Sequence, residues 1–187
     1  MPHYTDEEII LLCNDSVSKE RGFSILVHQY QERIYWHIRR MVNNHHDSDD
    51  LVQNVFIKVF RSLHKFKGNS KLYTWIYRIA TNETISFLNS NKRKFHKNAL
   101  AKDDTEFRED IENRLVAEED VSEQEIQQKL RTAIQQLPEK QRAVFNLRYY
   151  DEMKYEDMSD IMNTSVGSLK ASYHHAAKKI EKFLKGD

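Results

Sequence analysis

The side chains best suited to chemistry in this sequence are rings, amides and cations that cluster in the first half of the chain. Trp75 and Tyr73 lie near Lys71, Arg78 and Asn82. Aromatic rings stack on unpaired bases while cations hold phosphates, so the cluster indicates contact with single-stranded DNA. We name the following residues the strand-binding surface: Asn69, Ser70, Lys71, Tyr73, Trp75, Arg78, Asn82, Lys92 and Arg93. For Trp75 a place in the core is an equal alternative, because aromatic residues at helical spacing are often buried.

A second cluster falls on one face of a helix predicted near the end of the chain. At about 100° per residue, one stripe is apolar: Leu169, Tyr173, Ala176, Ile180 and Phe183. The opposite face has small, basic and hydrogen-bonding side chains and no acid: Lys170, Ala171, His174, His175, Lys178 and Lys182. Such a face suits the major groove of duplex DNA. A solvated helix face is the alternative, which the turn before this helix disfavours.

A third face lies on the helix predicted after Asp50. Opposite its apolar arc, which includes Phe60, stand Asp50, Gln53, Asn54, Ile57 and Arg61. One apolar side chain within a polar ring is typical of a protein contact with a small dry centre. Taken alone, a surface helix with one stray isoleucine is the more ordinary interpretation.

Catalytic and metal-binding constellations are not evident in the sequence. The pairs His45-His46 and His174-His175 are adjacent, which is poor geometry for shared metal ligation on a helix. Cys13 has no activating partner nearby, and no glycine-rich phosphate loop occurs. We therefore predict no catalytic residue, metal or cofactor, and a protein that is not an enzyme.

Composition predicts an all-α fold. The chain of 187 residues has only four Gly and two Pro, too few for many hairpins, so long helices are favoured. The single Cys excludes an internal disulfide, and neither a signal-peptide pattern nor an uninterrupted apolar stretch of membrane-spanning length occurs. These features predict a cytoplasmic protein without direct membrane insertion.

The charge distribution divides the chain although its formal net charge is zero. Lys58 to Lys97 contains ten Lys or Arg against one acid, and Lys170 to Lys185 contains five Lys against one Glu. Between them, Lys102 to Ile126 contains eleven acids against three bases. Two basic blocks around an acidic one suit two contacts with a polyanion, joined by a segment that avoids it.

Apolar periodicity predicts helices from about Gly22, from a cap at Asp47 or Ser48, and from about Leu72 to Leu88. Gly68 and Asn69 suit positive φ in the loop at 66–71, where Ser70 is a candidate cap. Later helices are predicted after Pro138, through Met158 and Ile161, and after a Ser165 cap, with Asn163 in a left-handed turn. This order of helix, short turn and helix is typical of a helix-turn-helix motif. We predict two small helical domains, 1–94 and 126–187, joined by a flexible acidic linker at 95–125.

Four segments resemble the sigma-70 family of bacterial transcription initiation factors, specifically the short extracytoplasmic-function (ECF) group that has only regions 2 and 4. The segment DSDDLVQNVFIKVF at 47–60 looks like the core-binding helix of region 2, and FKGNSKLYTWIYRIATN at 66–82 is similar to the segment that opens the promoter. LPEKQRAVF at 137–145 and SVGSLKA at 165–171 look like region 4.

The resemblance implies a role for each face. The core polymerase-binding residues would be Asp47, Asp50, Gln53, Asn54 and Ile57, which we name the docking face. The strand-binding surface would capture bases of the non-template −10 strand. The −35 duplex would be read by a set that we name the recognition face: Ser168, Lys170, Ala171, Ser172, His174, His175 and Lys178. Implied partners are core RNA polymerase, promoter DNA and an anti-sigma factor.

The sequence departs from the family at Ser172, His175 and Ala177, where Arg is common. This predicts a less cationic recognition helix, and −35 affinity that rises as pH falls and histidines take up protons. Two competing functions stay open at this point. An ordinary helix-turn-helix regulator with an unrelated N-terminal signalling domain would bind duplex DNA alone, as a dimer. A helical interaction module would show no salt-dependent DNA binding.

Overall fold

The computed structural model describes residues 4–99 and 123–186, and across them every regular element is helical. This confirms the predicted all-α class for the described residues. In chain order the helices are α1 (Asp6–Asn14), α2 (Lys19–Val42), α3 (His45–Ser62), a 3-10 turn (Leu63–Lys65), α4 (Leu72–Ala99), α5 (Glu123–Gln135), α6 (Glu139–Tyr149), α7 (Tyr155–Met162) and α8 (Val166–Lys185). We call α1–α4 the N-terminal half and α5–α8 the C-terminal half.

Helix α1 was not among the predicted helices, although its sequence carries a capping signal. Thr5 accepts from the backbone N–H of Glu8, and the Glu8 side chain accepts from the backbone N–H of Thr5, which forms a capping box. The helix packs closely on α2 at Gly22. A Cβ there would lie 2.7 Å from both the Cys13 nitrogen and the Leu12 side chain, so only glycine permits this approach.

The junction between α2 and α3 differs from the prediction. Asn43 ends α2 in a left-handed conformation with φ of 56°, and Asn44 caps α3 by accepting from the Asp47 N–H at 3.1 Å. The predicted caps Asp47 and Ser48 are therefore wrong: both lie inside the first turn and a half of α3. Two consecutive asparagines complete the turn because one tolerates positive φ and the other has a short capping oxygen.

The loop before α4 contains Gly68 at a φ of 72°, as predicted, whereas Asn69 does not adopt positive φ. Lys71, not Ser70, immediately precedes the first residue of α4. The helix also continues past the predicted end at Leu88 to Ala99, because no Gly or Pro follows to break it when the apolar pattern stops. The predicted linker at 95–125 thus begins and ends in helix, and its residues 100–122 lie outside the described part of the chain.

The main core joins both halves of the molecule. It includes Ile34 and Ile38 of α2, Val55 and Val59 of α3 and Ile76 of α4, all fully buried. From the C-terminal half it receives Val144, Leu147, Met153, Met158, Ile161 and Leu169. Burial of each large side chain contributes roughly 1.5–3 kcal/mol. The two predicted domains therefore pack against each other through a shared apolar interface.

The C-terminal half has the predicted helix starts and the predicted turn. Pro138 stands at the N-cap of α6, Asn163 ends α7 with φ of 48°, and the Ser165 side chain accepts from the Ser168 N–H at the start of α8. A smaller apolar cluster holds α5, α6 and α8 together: Ala133, Ile134, Leu137, Phe145, Ala176 and Ile180. The predicted helix-turn-helix is confirmed.

Hydrogen bonds also join the two halves, at an interface that we call the seam. Buried Arg142 donates to the Met41 carbonyl at 2.6 Å, and Gln135 donates to the Arg40 carbonyl at 2.9 Å. These carbonyls belong to the last turn of α2, which has no intrahelical partners to satisfy them. Burial lowers the pKa of Arg142. In the described ranges, none of the helices has both the length and the apolar character needed to cross a membrane.

Candidate nucleic-acid interface

The recognition face lies on α8 largely as predicted. Leu169, Ala176 and Ile180 are buried in the core, which fixes the rotation of the helix. The outward positions are exposed: Ser168, Lys170, Ala171, His174, His175 and Lys178. Ser172 is half-buried, and the Ser168 hydroxyl is 2.9 Å from the Ser165 hydroxyl within the cap. The exposed face presents lysines for phosphates and imidazoles for base edges.

The strand-binding surface extends from the loop before α4 along that helix. Asn69, Lys71, Arg78 and Asn82 are exposed, as are Lys92 and Arg93 further along α4, whereas Ser70 is half-buried. Lys92 lies about 15 Å beyond Asn82, at 1.5 Å per residue, so the cations follow a track several nucleotides long.

Trp75 occupies neither of the two predicted extremes. It is half-buried, and its ring lies 5.3 Å from the ring of Phe66, centroid to centroid. One side of the indole is thus supported by the loop, and part of it faces solvent. Tyr73 is also half-buried, whereas Tyr77 is within the core and burial raises its pKa.

The C-terminal half covers part of the strand-binding surface. The Tyr73 hydroxyl donates to the Asp157 carboxylate at 2.5 Å, and the Lys71 ammonium lies 3.5 Å from the same oxygen. Arg78 Nε donates to the Asp160 carbonyl at 2.6 Å. Burial and the hydrogen bond to Asp157 raise the pKa of Tyr73. In this arrangement acidic α7 occupies groups that were predicted to hold DNA.

A further pair joins the two halves at the far end of the same surface. The Lys92 ammonium contacts the carboxylate of Glu139, at the first residue of α6. Burial opposes ionisation of this carboxyl, yet hydrogen bonds from Lys92 and from its own backbone amide hold its pKa below the usual range. Four of the nine residues of the strand-binding surface therefore contact the C-terminal half: Lys71, Tyr73, Arg78 and Lys92.

The docking face is exposed and more apolar than predicted. Asp50, Gln53 and Asn54 are exposed and Asp47 is half-buried, with Ile57 42% exposed among them. The prediction placed Phe60 in the core, which is wrong: it is 39% exposed and packs edge-to-face on Phe23 at 4.9 Å, with the Lys19 ammonium 4.8 Å from its ring centroid. Phe60 is one turn from Ile57, so the dry centre of this face is larger than one side chain.

Buried polar groups at the seam were missed from sequence. His37 is fully buried, with Nδ1 3.0 Å from the Asp151 carboxylate and Nε2 3.0 Å from the Thr81 hydroxyl. Asp151 also accepts from Arg40 at 3.2 Å. The signal for His37 was its position, three residues after Ile34 on the apolar stripe of α2. Its partner Asp151 is 114 residues away and has no local signature.

Metal and thiol chemistry receives little support from the geometry. Within residues 4–99 and 123–186, no three His, Cys, Asp or Glu side chains converge as a metal site would require. The Cys13 thiol is buried, and burial raises its pKa, which lowers its nucleophilicity at neutral pH.

Comparisons with known protein families give two matches along the chain. Residues 26–94 match Sigma-70 region 2, and residues 127–180 match Sigma-70, region 4. The chain is 34% identical over 171 residues to the RNA polymerase sigma-H factor of Pseudomonas aeruginosa, covering 88% of this chain and 87% of that protein. It is 30% identical over 167 residues to the ECF RNA polymerase sigma factor SigW of Bacillus subtilis, covering 88% and 89%.

Two solved structures share the fold. The sigma factor RpoE from Bartonella quintana, solved with the anti-sigma factor NepR, aligns with a TM-score of 0.65 at 21% identity, over 89% of this chain and 99% of that one. CnrH, solved with the cytosolic domain of CnrY, aligns with a TM-score of 0.65 at 19% identity, over 97% and 99%. The arrangement of helices is therefore shared with chains of low sequence identity.

Proposed function

The chain belongs to the sigma-70 family, in its ECF group, and on that premise we propose that it directs core RNA polymerase to promoters and helps to open them. Members of this family are transcription initiation factors rather than enzymes. The proposed domains are region 2 at 1–94, a connection at 95–125, and region 4 at 126–187. The proposed site of action is the cytoplasm, and melting consumes no bound nucleotide because captured bases and polymerase contacts supply the free energy.

The observation that carries the proposal is the presence, in one chain, of two surfaces suited to bind DNA. The recognition face is an exposed, acid-free helix surface that begins at a capped helix-turn-helix. The strand-binding surface combines the partly exposed ring of Trp75 with a track of cations on α4. The first suits the −35 duplex and the second suits unpaired −10 bases.

Because the strand-binding surface is partly covered, polymerase in this proposal also has to expose it. The Tyr73 hydroxyl and Arg78 Nε are bonded to α7, so the −10 strand can use these two groups only if the halves separate. Binding of the docking face to polymerase, with Ile57 and Phe60 at its centre, would hold the N-terminal half in place while the C-terminal half moves to the −35 element. Two weak DNA contacts then gain by effective concentration once their spacing is fixed.

An anti-sigma protein completes the proposed set of partners. Of the two solved structures described above, one holds a sigma factor with the anti-sigma factor NepR, and the other holds CnrH with the cytosolic domain of CnrY. By this analogy, an anti-sigma factor would hold the present chain inactive until a signal releases it.

Promoter opening in a reconstituted system tests the proposal. Promoters are first selected from genomic fragments that the chain retains together with core polymerase, and unpaired −10 thymines are then measured by permanganate reactivity. Trp75→Ala should lose most of the reactivity while closed-complex binding is kept, and Trp75→Phe, which retains a ring, should recover much of it.

Thermal unfolding of both variants provides the control, because Trp75 packs on Phe66. If Trp75→Ala opens promoters as well as the parent chain while it is folded, Trp75 does not capture a base. If no genomic fragment is retained by the chain and polymerase together, the proposed function is wrong.

A further inference from the structure

A groove between the two halves has the features of a ligand site and is separate from the three faces described above. It encloses about 660 Å³ between α2 on one side and α5 and α6 on the other. This volume is within the range of small-molecule sites, and such sites commonly occur where two units of a fold meet. None of the groove residues belongs to the strand-binding surface, the recognition face or the docking face.

The charge of the groove selects an anion. Three of its described lining residues are arginines: Arg39, Arg40 and Arg131. None of the described lining residues is acidic. Arg40 is partly committed, because it donates to Asp151 at 3.2 Å and lies 4.6 Å from the ring centroid of Tyr150. Arg39 donates to the neutral side chain of Asn43 at 3.2 Å, which leaves its charge in place. Guanidinium groups in such a concave site suit phosphate oxygens.

The groove also presents partly exposed aromatic surface, although the Tyr149 ring stacks on Phe145 at 5.2 Å between centroids. Trp36 is 49% exposed and Tyr149 is 51% exposed, and both line the groove from opposite halves. Large rings left at this exposure in a concave, cationic site provide stacking faces for a planar ligand.

A buried amide at the groove provides the most specific observation. Asn146 of α6 is fully buried and lines the groove, yet neither its side-chain nitrogen nor its side-chain oxygen has a hydrogen-bond partner among the described residues. A buried amide without partners costs free energy, so its retention calls for a partner that the chain does not supply: a buried water, or a ligand that the side chain reaches by turning towards the groove. The adjacent donor and acceptor of an asparagine match the N6 and N7 edge of adenine.

We propose that this inter-half groove binds an adenine nucleoside phosphate, with the base against Trp36 or Tyr149 and Asn146, and the phosphates on Arg39 and Arg131. The ligand would contact both halves and would therefore stabilise their closed arrangement in proportion to its saturation. Adenine nucleotide would in this way oppose exposure of the strand-binding surface.

Tryptophan fluorescence of the full chain tests the proposal directly. The sequence contains two tryptophans, so Trp75→Phe leaves Trp36 as the single reporter. Titration with ATP should give saturable quenching of Trp36. GTP should bind at least about fivefold more weakly because its edge does not match the amide, and inorganic triphosphate should not saturate the signal.

Three further variants in this background locate the site. Arg131→Gln and Asn146→Leu should each weaken ATP binding by about tenfold. Lys140→Gln removes an exposed cation of α6 outside the groove, and it should leave the affinity unchanged. Thermal unfolding distinguishes binding from folding: Asn146→Leu removes an unpaired buried amide, so its melting temperature should equal or exceed that of its parent.

Other results would overturn the proposal. Absence of saturable quenching, or equal affinity for ATP and inorganic triphosphate, would exclude an adenine site. Unchanged ATP affinity in a folded Asn146→Leu variant would remove the amide from recognition. Tighter binding of a single-stranded oligonucleotide than of ATP, with the same dependence on Arg131, would assign the groove to nucleic acid instead.

Discussion

Removal of the Asp157 carboxylate should expose the strand-binding surface in the free protein. In the closed arrangement Asp157 accepts from the Tyr73 hydroxyl at 2.5 Å, and its side chain is 18% exposed. When the halves separate, water can satisfy both groups. Asp157→Ala therefore destabilises only the closed state, because it leaves the Tyr73 hydroxyl without its carboxylate partner there.

The expected size of the effect follows mainly from this hydrogen bond, because the Lys71 ammonium, the other partner of Asp157, belongs to a side chain that is 61% exposed and adds little. A hydrogen bond to a charged group contributes roughly 1.5–3 kcal/mol, and partial exposure of both partners favours the lower end. A loss of about 1.5 kcal/mol changes the opening equilibrium by about tenfold. Where the open state is a small fraction of the population, the apparent affinity for a strand that binds only the open state rises by the same factor.

Fluorescence anisotropy with a labelled single-stranded −10 oligonucleotide measures this affinity without polymerase. Loss of a negative charge also favours DNA by itself, so Glu156→Ala is the matched control: Glu156 is the exposed neighbour of Asp157 on α7. We expect Asp157→Ala to bind about tenfold more tightly than Glu156→Ala. Equal affinities of the two variants would refute the inference that the α7 contact limits access to this surface.

Three other perturbations address the remaining contacts. Asp50→Ala should weaken binding to core polymerase while the melting temperature is kept, and Asp49→Ala, one residue outside the docking face, should bind normally; equal affinities would remove that face. Lys170→Ala should weaken binding of a −35 duplex and reduce the slope of log affinity against log salt by about one, whereas an unchanged slope would place Lys170 away from phosphates. Glu139→Gln should lower the unfolding free energy by about 0.5 kcal/mol at neutral pH, because its Lys92 partner is largely solvent-exposed. Since the folded pKa of Glu139 is depressed, this contribution is present above the unfolded pKa and lost as pH falls through the folded one, so denaturation of the two proteins should converge in acid.

Local patterns in the sequence were sufficient to predict most of the helices. The stripe of Leu169, Ala176 and Ile180 fixed the rotation of α8, and Asn163 and Ser165 have the predicted roles in the turn. Helix ends were less accurate, because capping depends on which of several neighbouring polar residues reaches a free N–H. Asn44 rather than Asp47 or Ser48 illustrates this at α3.

Contacts between the halves could not be predicted from the same patterns. Tyr73 and Asp157 are 84 residues apart, and His37 and Asp151 are 114 apart, so no local periodicity relates them. The sequence indicated two DNA-binding surfaces but not that α7 and the start of α6 partly cover the strand-binding surface. The prediction for Phe60 failed for a related reason. Its place in the apolar pattern predicted burial, but in the structure it packs on Phe23 and stays 39% exposed.

We expect that neither DNA-binding surface holds a promoter until polymerase binds the chain. The decisive measurement is the affinity of the purified chain for a selected promoter fragment at physiological salt, with and without core RNA polymerase. We predict weak, salt-sensitive binding by the chain alone, and a stable complex with unpaired −10 bases when polymerase is present. Equally tight binding without polymerase, or a polymerase that leaves the affinity unchanged, would contradict the account.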